Sequence, residues 1–553
     1  MKSSRARLDP GLAVLLVVLL FWGGFLIFRT SFVAEDGKRY FCLFDDAMIT
    51  MTYARNLVEG YGLNWARHGA PVEGFTHPLW LVPMVAANLL PVELRFRSLP
   101  IQLLSLAVLA LLVVAVRRLM LSWFSGERAR HWGPAAVMTA FCYSLAFWSL
   151  IGMETGLQAL LAVVAVHLAI ASVEGRRERH LELWAVCAAA YLVRMDMLLL
   201  VVAVQAWVVL RGGLRRDRRR WLLGLGLFLA VALGYEVFRW VYFHDFLPNT
   251  WYLKMTGVPL IVRLLRGLLS LELFVRDHLL LLLAAGIGIL ALRRDRRLEL
   301  PAGIFLLYCA YSVWVGGDAW DLDVEVPVRA NRYISFVLPL LFVLLNAVLN
   351  RVLDAWKLAG SWAPAAATAA GALGLLLVNG LWPGGTDTAW RLMMGTQRPP
   401  QVESHLTVLR QLHRMQRAVR PGATVATAWA GIPAYFSDYK LVDILGFNDR
   451  HVARAPSRLP GDEDHPRLFR PGHDRWDFDY LLKRVRPDAF FQVWGPRLEG
   501  LKVGELMTSA GYQQHSGIWL KRGSPYVLDL PPQEPPLREA ADHRRHKKKR
   551  RAA

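Results

Sequence analysis

Cysteine is scarce in this 553-residue chain, which contains only Cys42, Cys142, Cys187 and Cys309. Their positions have neither the spacing of a zinc site nor that of a disulfide framework. The sequence also lacks a glycine-rich phosphate-binding loop and a Walker motif. Acidic residues are few, 44 against 65 lysines and arginines, which gives a formal net charge of +21. These absences argue against a zinc site, a disulfide-linked scaffold and a nucleotide-binding domain.

Apolar residues, in contrast, are abundant. They make up 54% of the chain and give a mean hydropathy of +0.30, too high for a soluble protein of this size. A bilayer core requires roughly 20 apolar residues per helical span, and in lipid each span must satisfy its own backbone hydrogen bonds. The continuous Leu, Val and Ala runs lack the alternation of outer-membrane β-strands. The predicted fold class is therefore mainly α, a polytopic helical membrane protein.

Short basic clusters between the apolar runs predict the orientation, because Lys and Arg are enriched in cytoplasmic loops. The clusters lie around residues 117–130, 176–179, 215–220 and 293–297. If they and the N-terminus are cytoplasmic, about eleven spans place the C-terminus outside. The predicted spans are 11–28, 98–116, 133–151, 156–173, 182–195, 197–211, 221–242, 277–292, 299–315, 332–350 and 362–380. Two further apolar segments, 78–90 and 258–274, are predicted to lie at the outer interface.

The remaining segments define the predicted domains. Residues 1–384 form a membrane module whose first outer loop covers about 30–77. Residues 385–530 alternate short apolar runs with turns, which predicts an extracytoplasmic α/β domain. Residues 531–553 are Pro-rich and then basic, and are predicted to be disordered. The protein is expected in the inner or plasma membrane, with several outer loops lining one cavity.

The first outer loop carries the strongest local signal, the adjacent acids Asp45 and Asp46 at the start of a predicted amphipathic helix. In a structural interpretation, the two acids cap this helix and interact with its dipole. In a functional interpretation, one of them is a general base or binds a metal at the membrane surface. A sugar hydroxyl is a poor nucleophile until a carboxylate begins to remove its proton, so glycosyl transfer needs such a group. The residues alone leave both interpretations open.

An ordered set of motifs extends this signal along most of the chain. The first loop reads DDAMITMTYARNL from Asp45, GYGLN from Gly60 and PVEGFTHPLW from Pro71. Later motifs are GMET at 152–155, RMD at 194–196, LPNTWYLK at 247–254, GGD at 316–318 and DILGFND at 443–449. In this order they resemble GT-C glycosyltransferases, in particular the terminal β-(1→2)-arabinofuranosyltransferase family of bacterial cell walls. The chain departs from that pattern at Met48, His77 and Met195, where no charged group is lost.

The resemblance implies a GT-C-like fold and a polyprenyl-phosphate-linked sugar donor. It implies inverting transfer of a sugar, best specified as arabinofuranose, to a cell-envelope glycan or glycolipid on the outer face. Asp45 or Asp46 would act as the base, and Glu154 matches the position of a second, assisting acid. The predicted partners are therefore this donor, the acceptor glycan and the lipid bilayer, without nucleic acid.

Cations beside outer span ends are expected to bind the donor phosphate, and these are Lys254, Arg194, Arg332 and Arg55. An arginine would bind the phosphate bidentately, whereas a lysine would act as a point charge. The alternative is that Arg194 pairs with Asp196 and that Arg332 only marks the end of a span.

Further substrate-binding residues are predicted from the motifs: Glu73, Thr76, His77, Asn249, Tyr252 and Asp318. No cofactor is assigned. A divalent cation such as Mg²⁺ or Mn²⁺ stays open, because Asp318, Asp321, Asp323 and Glu325 form an acidic outer loop.

Three other functions compete with this prediction. One is transfer of mannose or another hexose by the same fold. The second is a transporter or flippase for lipid-linked sugars, which should have repeated halves and broken midplane helices. The sequence shows neither feature. The third is a receptor or assembly scaffold in which the acids merely cap helices.

Overall fold

The structure, a computed structural model, describes most of the chain. The described residues are 9–123, 131–175, 179–292, 295–322, 331–355, 362–380, 388–458, 469–493 and 503–528. The predicted disordered tail and the acids Asp323 and Glu325 lie outside them.

Apolar helices build the membrane module, as the hydropathy predicts. In chain order they are α1 (Pro10–Thr30), α2 (Asp45–Val58), α3 (Pro78–Leu89), α4 (Leu99–Trp123), α5 (Gly133–Ala140), α6 (Tyr143–Leu150), α7 (Thr155–Val173), α8 (His180–Val193), α9 (Leu198–Leu210), α10 (Leu214–Phe243), α11 (Asn249–Met255), α12 (Leu260–Ala291), α13 (Glu299–Val315), α14 (Arg332–Ser335), α15 (Leu338–Ala355) and α16 (Ala363–Val378). A two-stranded ribbon, β1 (Phe32–Val33) and β2 (Arg39–Tyr40), opens the first outer loop. The class is therefore confirmed as a mainly helical, multi-pass membrane protein.

The number of full-length spans is smaller than predicted. All eleven predicted segments fall on helices, but six of the described helices are long and apolar enough to cross a membrane. The helices α5 and α6 meet at a 46° bend and would make a seventh span if counted together. By contrast, α8 and α9 have 14 and 13 residues, fewer than the roughly 20 that a bilayer core requires. By length and composition, the described helices support six or seven spans rather than eleven.

Helix α12 corrects a second expectation. Residues 258–274 and 277–292 do not form an interfacial helix and a separate span, because one 32-residue helix covers both. The two arginines that make the first segment look interfacial are buried against protein. Arg263 donates to the Met255 carbonyl at 2.9 Å, and Arg266 donates to the Phe469 carbonyl at 2.6 Å. Protein acceptors thus take the place of water for both side chains.

The C-terminal part forms the predicted α/β domain, which we call the outer domain after its predicted side of the membrane. Its strands are β3 (Thr424–Thr427), β4 (Lys440–Asp443), β5 (Ala489–Phe490), β6 (Tyr512–His515) and β7 (Ile518–Lys521). They form one sheet in the order β4-β3-β5-β7-β6, parallel across the first three strands and antiparallel across the last three. Its helices are α17 (Thr388–Met393), α18 (Pro400–Ala418), α19 (Ile432–Tyr435), α20 (Arg450–Arg454) and α21 (Val503–Ser509).

A shared apolar core joins this outer domain to the first outer loop. Met48 and Tyr53 of α2 belong to the same buried cluster as Val425 of β3 and Tyr435 of α19. Burial of such large side chains stabilises the contact by roughly 1.5–3 kcal/mol each. Helix α2, which begins with the two adjacent acids, is therefore held between the membrane module and the outer domain.

Candidate functional site

The principal cavity lies where one end of the membrane helices meets α2 and α11, and its volume is about 930 Å³. Its apolar walls come from α9, α13 and the segment before α11, through Leu198, Leu199, Val202, Ala203, Leu247, Leu307, Ala310, Trp314 and Val315. Its polar end consists of Asp46, Thr50, Thr76, His77, Glu154, Arg194, Asp196, Lys254 and Arg332. Outer segments far apart in sequence thus meet at one cavity, which has both an apolar and a charged part.

The two adjacent acids point to different partners, because neighbouring helical residues are about 100° apart around the axis. Asp46 lines the cavity, and its Oδ2 accepts from Arg332 Nη1 at 2.7 Å. Asp45 Oδ1 instead accepts from the backbone N–H groups of Gly431 and Ile432, at 3.1 and 3.3 Å. Asp45 therefore contacts the outer domain, while Asp46 faces the open space.

Their electrostatic environments differ as well. Burial, together with the neighbouring Asp46 charge, raises the pKa of Asp45 to about 7. Burial acts in the same direction on Asp46, but the Arg332 and Lys254 cations outweigh it and hold its pKa below the usual range. Asp46 is therefore a carboxylate at neutral pH and can accept a proton.

Arg332 connects the cavity to the loop after α13. Its Nε forms an ion pair with Asp318 Oδ2 at 3.1 Å, in addition to its contact with Asp46. Asp318 is completely buried, and its backbone carbonyl accepts from Arg266 Nη2 at 2.7 Å. Asp318 therefore positions Arg332 from behind rather than lining the cavity itself.

A second charged group surrounds Glu154. Its Oε1 accepts from Arg194 Nη1 at 3.1 Å, and its Oε2 lies 3.6 Å from His77 Nδ1. Arg194 also donates to Asp196 Oδ2 at 2.9 Å, which is the pairing that the sequence offers as the alternative to phosphate binding. The second ring nitrogen of His77 lies 2.8 Å from Thr50 Oγ1. Arg194 thus reaches the cavity already held by two carboxylates.

Lys254 differs from both arginines. It lies on α11, lines the cavity, and its Nζ is 5.6 Å from the centre of the Phe447 ring. Within the described part of the chain, no carboxylate forms an ion pair with it, whereas Arg194 and Arg332 each have two. A cation whose charge is not already matched is the group that an added anion would contact first.

Several of the predicted substrate-binding residues contact protein instead of open space. Glu73 accepts from Arg239 Nε at 2.6 Å and from the Tyr235 hydroxyl at 2.5 Å. Its backbone carbonyl accepts from the Asn249 N–H at 2.9 Å, and the Asn249 amide donates to the Gly446 carbonyl at 2.8 Å. We call Glu73, Tyr235, Arg239 and Asn249 the brace, because they tie α10, the first loop, α11 and the outer domain together.

Arg55 and Tyr252 also lie outside the lining of the cavity. Arg55 pairs with Glu59 at 2.6 Å and with Asp438 at 2.9 Å, so its charge is matched at the outer domain. The Tyr252 ring lies 4.0 Å from the Arg454 guanidinium. Thr76 and His77 do line the cavity, as the sequence predicts for substrate-binding residues.

Sequence reasoning missed other lining residues, among them Thr50, Trp251, Tyr333 and Phe447. None of these four side chains is charged, and an uncharged aromatic or hydroxyl side chain fits many roles, so none carries a signal of its own. Arg239 was also missed, although an ionisable residue inside an apolar span is a strong signal. Its position inside the predicted span 221–242 is the signal that could have identified this member of the brace.

No metal site accompanies these groups in the described part of the chain. Among the described residues, no three His, Cys, Asp or Glu side chains are grouped so that they could hold a metal ion. Asp321, from the acidic loop, is buried and accepts from the Asp318 backbone N–H at 2.9 Å. Its carboxylate therefore stabilises the loop that holds Arg332.

Apolar helices around a cavity with one charged end, next to an outer α/β domain, define a multi-pass membrane protein with the GT-C fold. Two solved structures share this fold: ArnT from Cupriavidus metallidurans in the apo state and the same protein bound to undecaprenyl phosphate. Each has a TM-score of 0.51 and 14% sequence identity, covering 86% of this chain and 92% of ArnT. At this identity the likeness concerns the fold.

Comparisons by sequence add one match. Residues 400–525, within the outer domain, match a family described as Domain of unknown function (DUF8728). No curated protein matches the chain in sequence.

Proposed function

We propose that this protein is a membrane glycosyltransferase that takes a sugar from a polyprenyl-phosphate donor. The acceptor would be a cell-envelope glycan or glycolipid on the outer face. The observation that carries the proposal is the cavity itself, whose apolar walls lead to the unmatched Lys254 cation and the Asp46 carboxylate. A prenyl chain, a phosphate and a reacting sugar hydroxyl each require one of these three features.

The apolar and charged parts of the donor match the apolar walls and the polar end of the cavity. The prenyl chain would lie along the apolar walls of α9 and α13, where each buried CH₂ contributes about 0.8 kcal/mol. The phosphate would bind Lys254, with Arg332 and Arg194 close by on the same polar end. ArnT, which shares the fold, has a structure bound to undecaprenyl phosphate, and this supports the choice of donor.

Asp46 would be the base. Its carboxylate takes the proton of the acceptor hydroxyl as that oxygen attacks the anomeric carbon of the donor sugar. The bond from the anomeric carbon to the phosphate oxygen breaks on the opposite face, so the configuration is inverted and polyprenyl phosphate leaves. Lys254 and Arg332 would stabilise the negative charge that develops on the phosphate.

The remaining residues have supporting roles in this proposal. Glu154 would keep Arg194 in place at the polar end, and Thr76 and His77 would contact the substrate. Asp45, Arg55 and the brace would hold the first loop against its neighbours.

The finer proposal is that the sugar is arabinofuranose. It is supported by the ordered motifs from Asp45 to Asp449, whereas the fold itself is compatible with mannose or another hexose. The cavity has no feature that selects a pentose over a hexose by size, since about 930 Å³ accommodates either.

Incubation of the purified protein with a panel of polyprenyl-phosphate sugars and a cell-envelope glycan fraction tests both the glycosyl-transfer reaction and the identity of the sugar. We expect polyprenyl phosphate to be released with the arabinofuranosyl donor, and the Asp46→Asn protein to serve as the matched inactive control. If only a hexosyl donor releases polyprenyl phosphate, the proposed reaction is correct but the sugar is a hexose and not arabinofuranose. If no donor releases polyprenyl phosphate, and vesicles instead show donor crossing the bilayer, the protein is a flippase.

The proposed orientation has a test of its own. We propose a cytoplasmic N-terminus and an outer C-terminal domain because the basic clusters are then inside. A reporter that is active only outside the cytoplasm, fused after Leu528, should be active. An inactive reporter at Leu528 and an active one at Arg211 would reverse the orientation and place Asp46 on the wrong face.

A further inference from the structure

A second cleft opens outside the membrane module, between the first outer loop and the outer domain. Its volume is about 800 Å³. One wall is formed by residues 65–72 of the loop, and the other by residues 441–456 and 477–485 of the outer domain. We call this space the outer cleft; the proposed function does not use it.

Two stacked aromatic rings form one side of the outer cleft. The rings of His451 and Tyr480 lie 4.1 Å apart with 25° between their planes, and the His451 side chain is 44% exposed. Both rings are fixed from behind: His451 Nε2 lies 2.9 Å from Asp477 Oδ2, and the Tyr480 hydroxyl donates to Asp449 Oδ2 at 3.3 Å. Each ring of the aromatic surface is thus held by a carboxylate of the same domain.

Carboxylates outnumber arginines around the outer cleft. Asp443, Asp449 and Asp477 line it together with Arg450 and Arg454. Both arginines pair with Asp245, at 3.0 and 2.7 Å, so an anion would find no unmatched arginine there. Asp443 already accepts four hydrogen bonds from protein, whereas Asp449 and Asp477 each accept fewer. Asp449 and Asp477, beside an aromatic surface, suit a neutral polyhydroxylated ligand whose hydroxyls donate and whose ring packs on the aromatic face.

The position of the outer cleft connects it to the principal cavity. The segment 72–77 has Val72 on the cleft side and Gly74 on the cavity side. The segment 447–449 likewise has Phe447 in the cavity and Asn448 in the cleft. The Tyr53 hydroxyl joins the two segments, because its oxygen lies 2.5 Å from the Val72 carbonyl oxygen and 3.0 Å from Asn448 Oδ1. The two spaces are therefore separated by a single wall.

From this arrangement we infer that the outer cleft binds neutral sugar units of the acceptor glycan, away from the unit that reacts. The inference rests on the proposed function for its ligand class. It makes His451 and Tyr480 determinants of acceptor specificity, since the sugar that packs on their rings is selected by shape. A long acceptor would bind better than a short one, because only the long one reaches both spaces.

The experiment uses the full chain in nanodiscs, with linear arabinan, galactan and mannan pentasaccharides as probes. Saturation-transfer NMR measures their binding with the principal cavity first filled by undecaprenyl phosphate. The test variants are Tyr480→Ala and His451→Ala, which remove the rings, and Ala70→Trp, which fills the cleft from an exposed position without removing a contact. The matched control is His515→Ala, on strand β6 of the same domain.

We expect at least one pentasaccharide to bind the wild type and His515→Ala alike, and at least tenfold more weakly to all three cleft variants. Undecaprenyl phosphate should bind every variant equally. The inference is overturned if no pentasaccharide binds the wild type, if Ala70→Trp binds as well as the control, or if undecaprenyl phosphate displaces the sugar. If the sugar binds the cleft but undecaprenyl phosphate does not bind the protein, the inference about the cleft is supported and the proposed polyprenyl-phosphate donor is wrong.

Discussion

Two charged clusters each include an acid of the first outer loop, yet their surroundings differ. In the cavity cluster, Asp46, Arg332 and Lys254 face a space of about 930 Å³. In the brace, Glu73 and Arg239 are almost completely enclosed by protein. Each cluster pairs an acid of the first outer loop with an arginine from a later helix, so residue type alone does not separate a reactive group from a supporting one.

The cavity cluster and the brace differ in whether every charged side chain has an ion-pair partner. Every charged group of the brace has a protein partner at 2.5–2.9 Å. The cavity cluster, in contrast, holds a lysine without an ion pair among the described residues. Changes in the cavity cluster should therefore affect turnover and donor binding, whereas changes in the brace should affect stability.

The largest effect is expected at Asp46. Asp46→Asn should lower the rate of polyprenyl-phosphate release by roughly 10²–10⁴-fold, the usual contribution of a general base. Asp45→Asn should retain most of its activity, because Asn can still accept from the two backbone N–H groups of the outer domain. Thermal unfolding serves as the control and should be close to wild type for both. Equal activity of the two variants would remove Asp46 from the chemistry.

The brace should show the opposite behaviour. Arg239→Met leaves Glu73 buried without its cation, and breaking a buried pair in this way costs about 3–5 kcal/mol. We expect a clearly lowered Tm, and partial recovery when Glu73→Leu is added, because the buried carboxylate without a cation is then gone. Glu236, the other partner of Arg239, is 38% exposed and can be solvated. Unchanged Tm with lost donor binding would instead move Glu73 into the binding site.

Donor binding should depend on Lys254 to a smaller degree. Lys254→Ala removes a charged hydrogen bond worth roughly 1.5–3 kcal/mol, which weakens donor binding by about one to two decades. Lys440→Ala, which removes an exposed lysine of the outer domain, is the matched control. If both variants bind undecaprenyl phosphate like the wild type, Lys254 is not a phosphate ligand.

The smallest effect concerns pH. The pKa of Asp45 is raised to about 7 in the folded protein, above the ordinary value of 3.8. Between these values the folded state keeps a proton that the unfolded state has released, so stability falls as pH rises from about 4 to about 7. Wild type should therefore lose stability between pH 5 and pH 8, whereas Asp45→Asn, which cannot titrate at this position, should not show this loss. Relative to wild type, the Tm of Asp45→Asn should be a few degrees higher at pH 8 than at pH 5. A difference independent of pH would contradict this assignment.

Much of the fold could be predicted from the sequence, because long apolar runs have few alternatives in lipid. The helical class, the outer α/β domain and the convergence of outer loops follow from hydropathy and loop placement. Six or seven of the eleven predicted spans have the length of a full span, since local hydropathy does not measure whether a helix such as α8 is long enough. Helix α12 was divided in two because its arginines resemble interfacial residues unless their protein acceptors are known.

The sequence by itself determined a membrane protein whose first outer loop carries acids, together with cations that could meet a phosphate. Only the tertiary structure decided which of them face open space. Asp45 and Asp46 are chemically identical neighbours, but a 100° turn of the helix directs one to the outer domain and the other to the cavity. Likewise Arg55 and Lys254 are both cations near the predicted outer face. The fold brings Asp438, which is distant in sequence, to Arg55, whereas Lys254 lies beside the Phe447 ring.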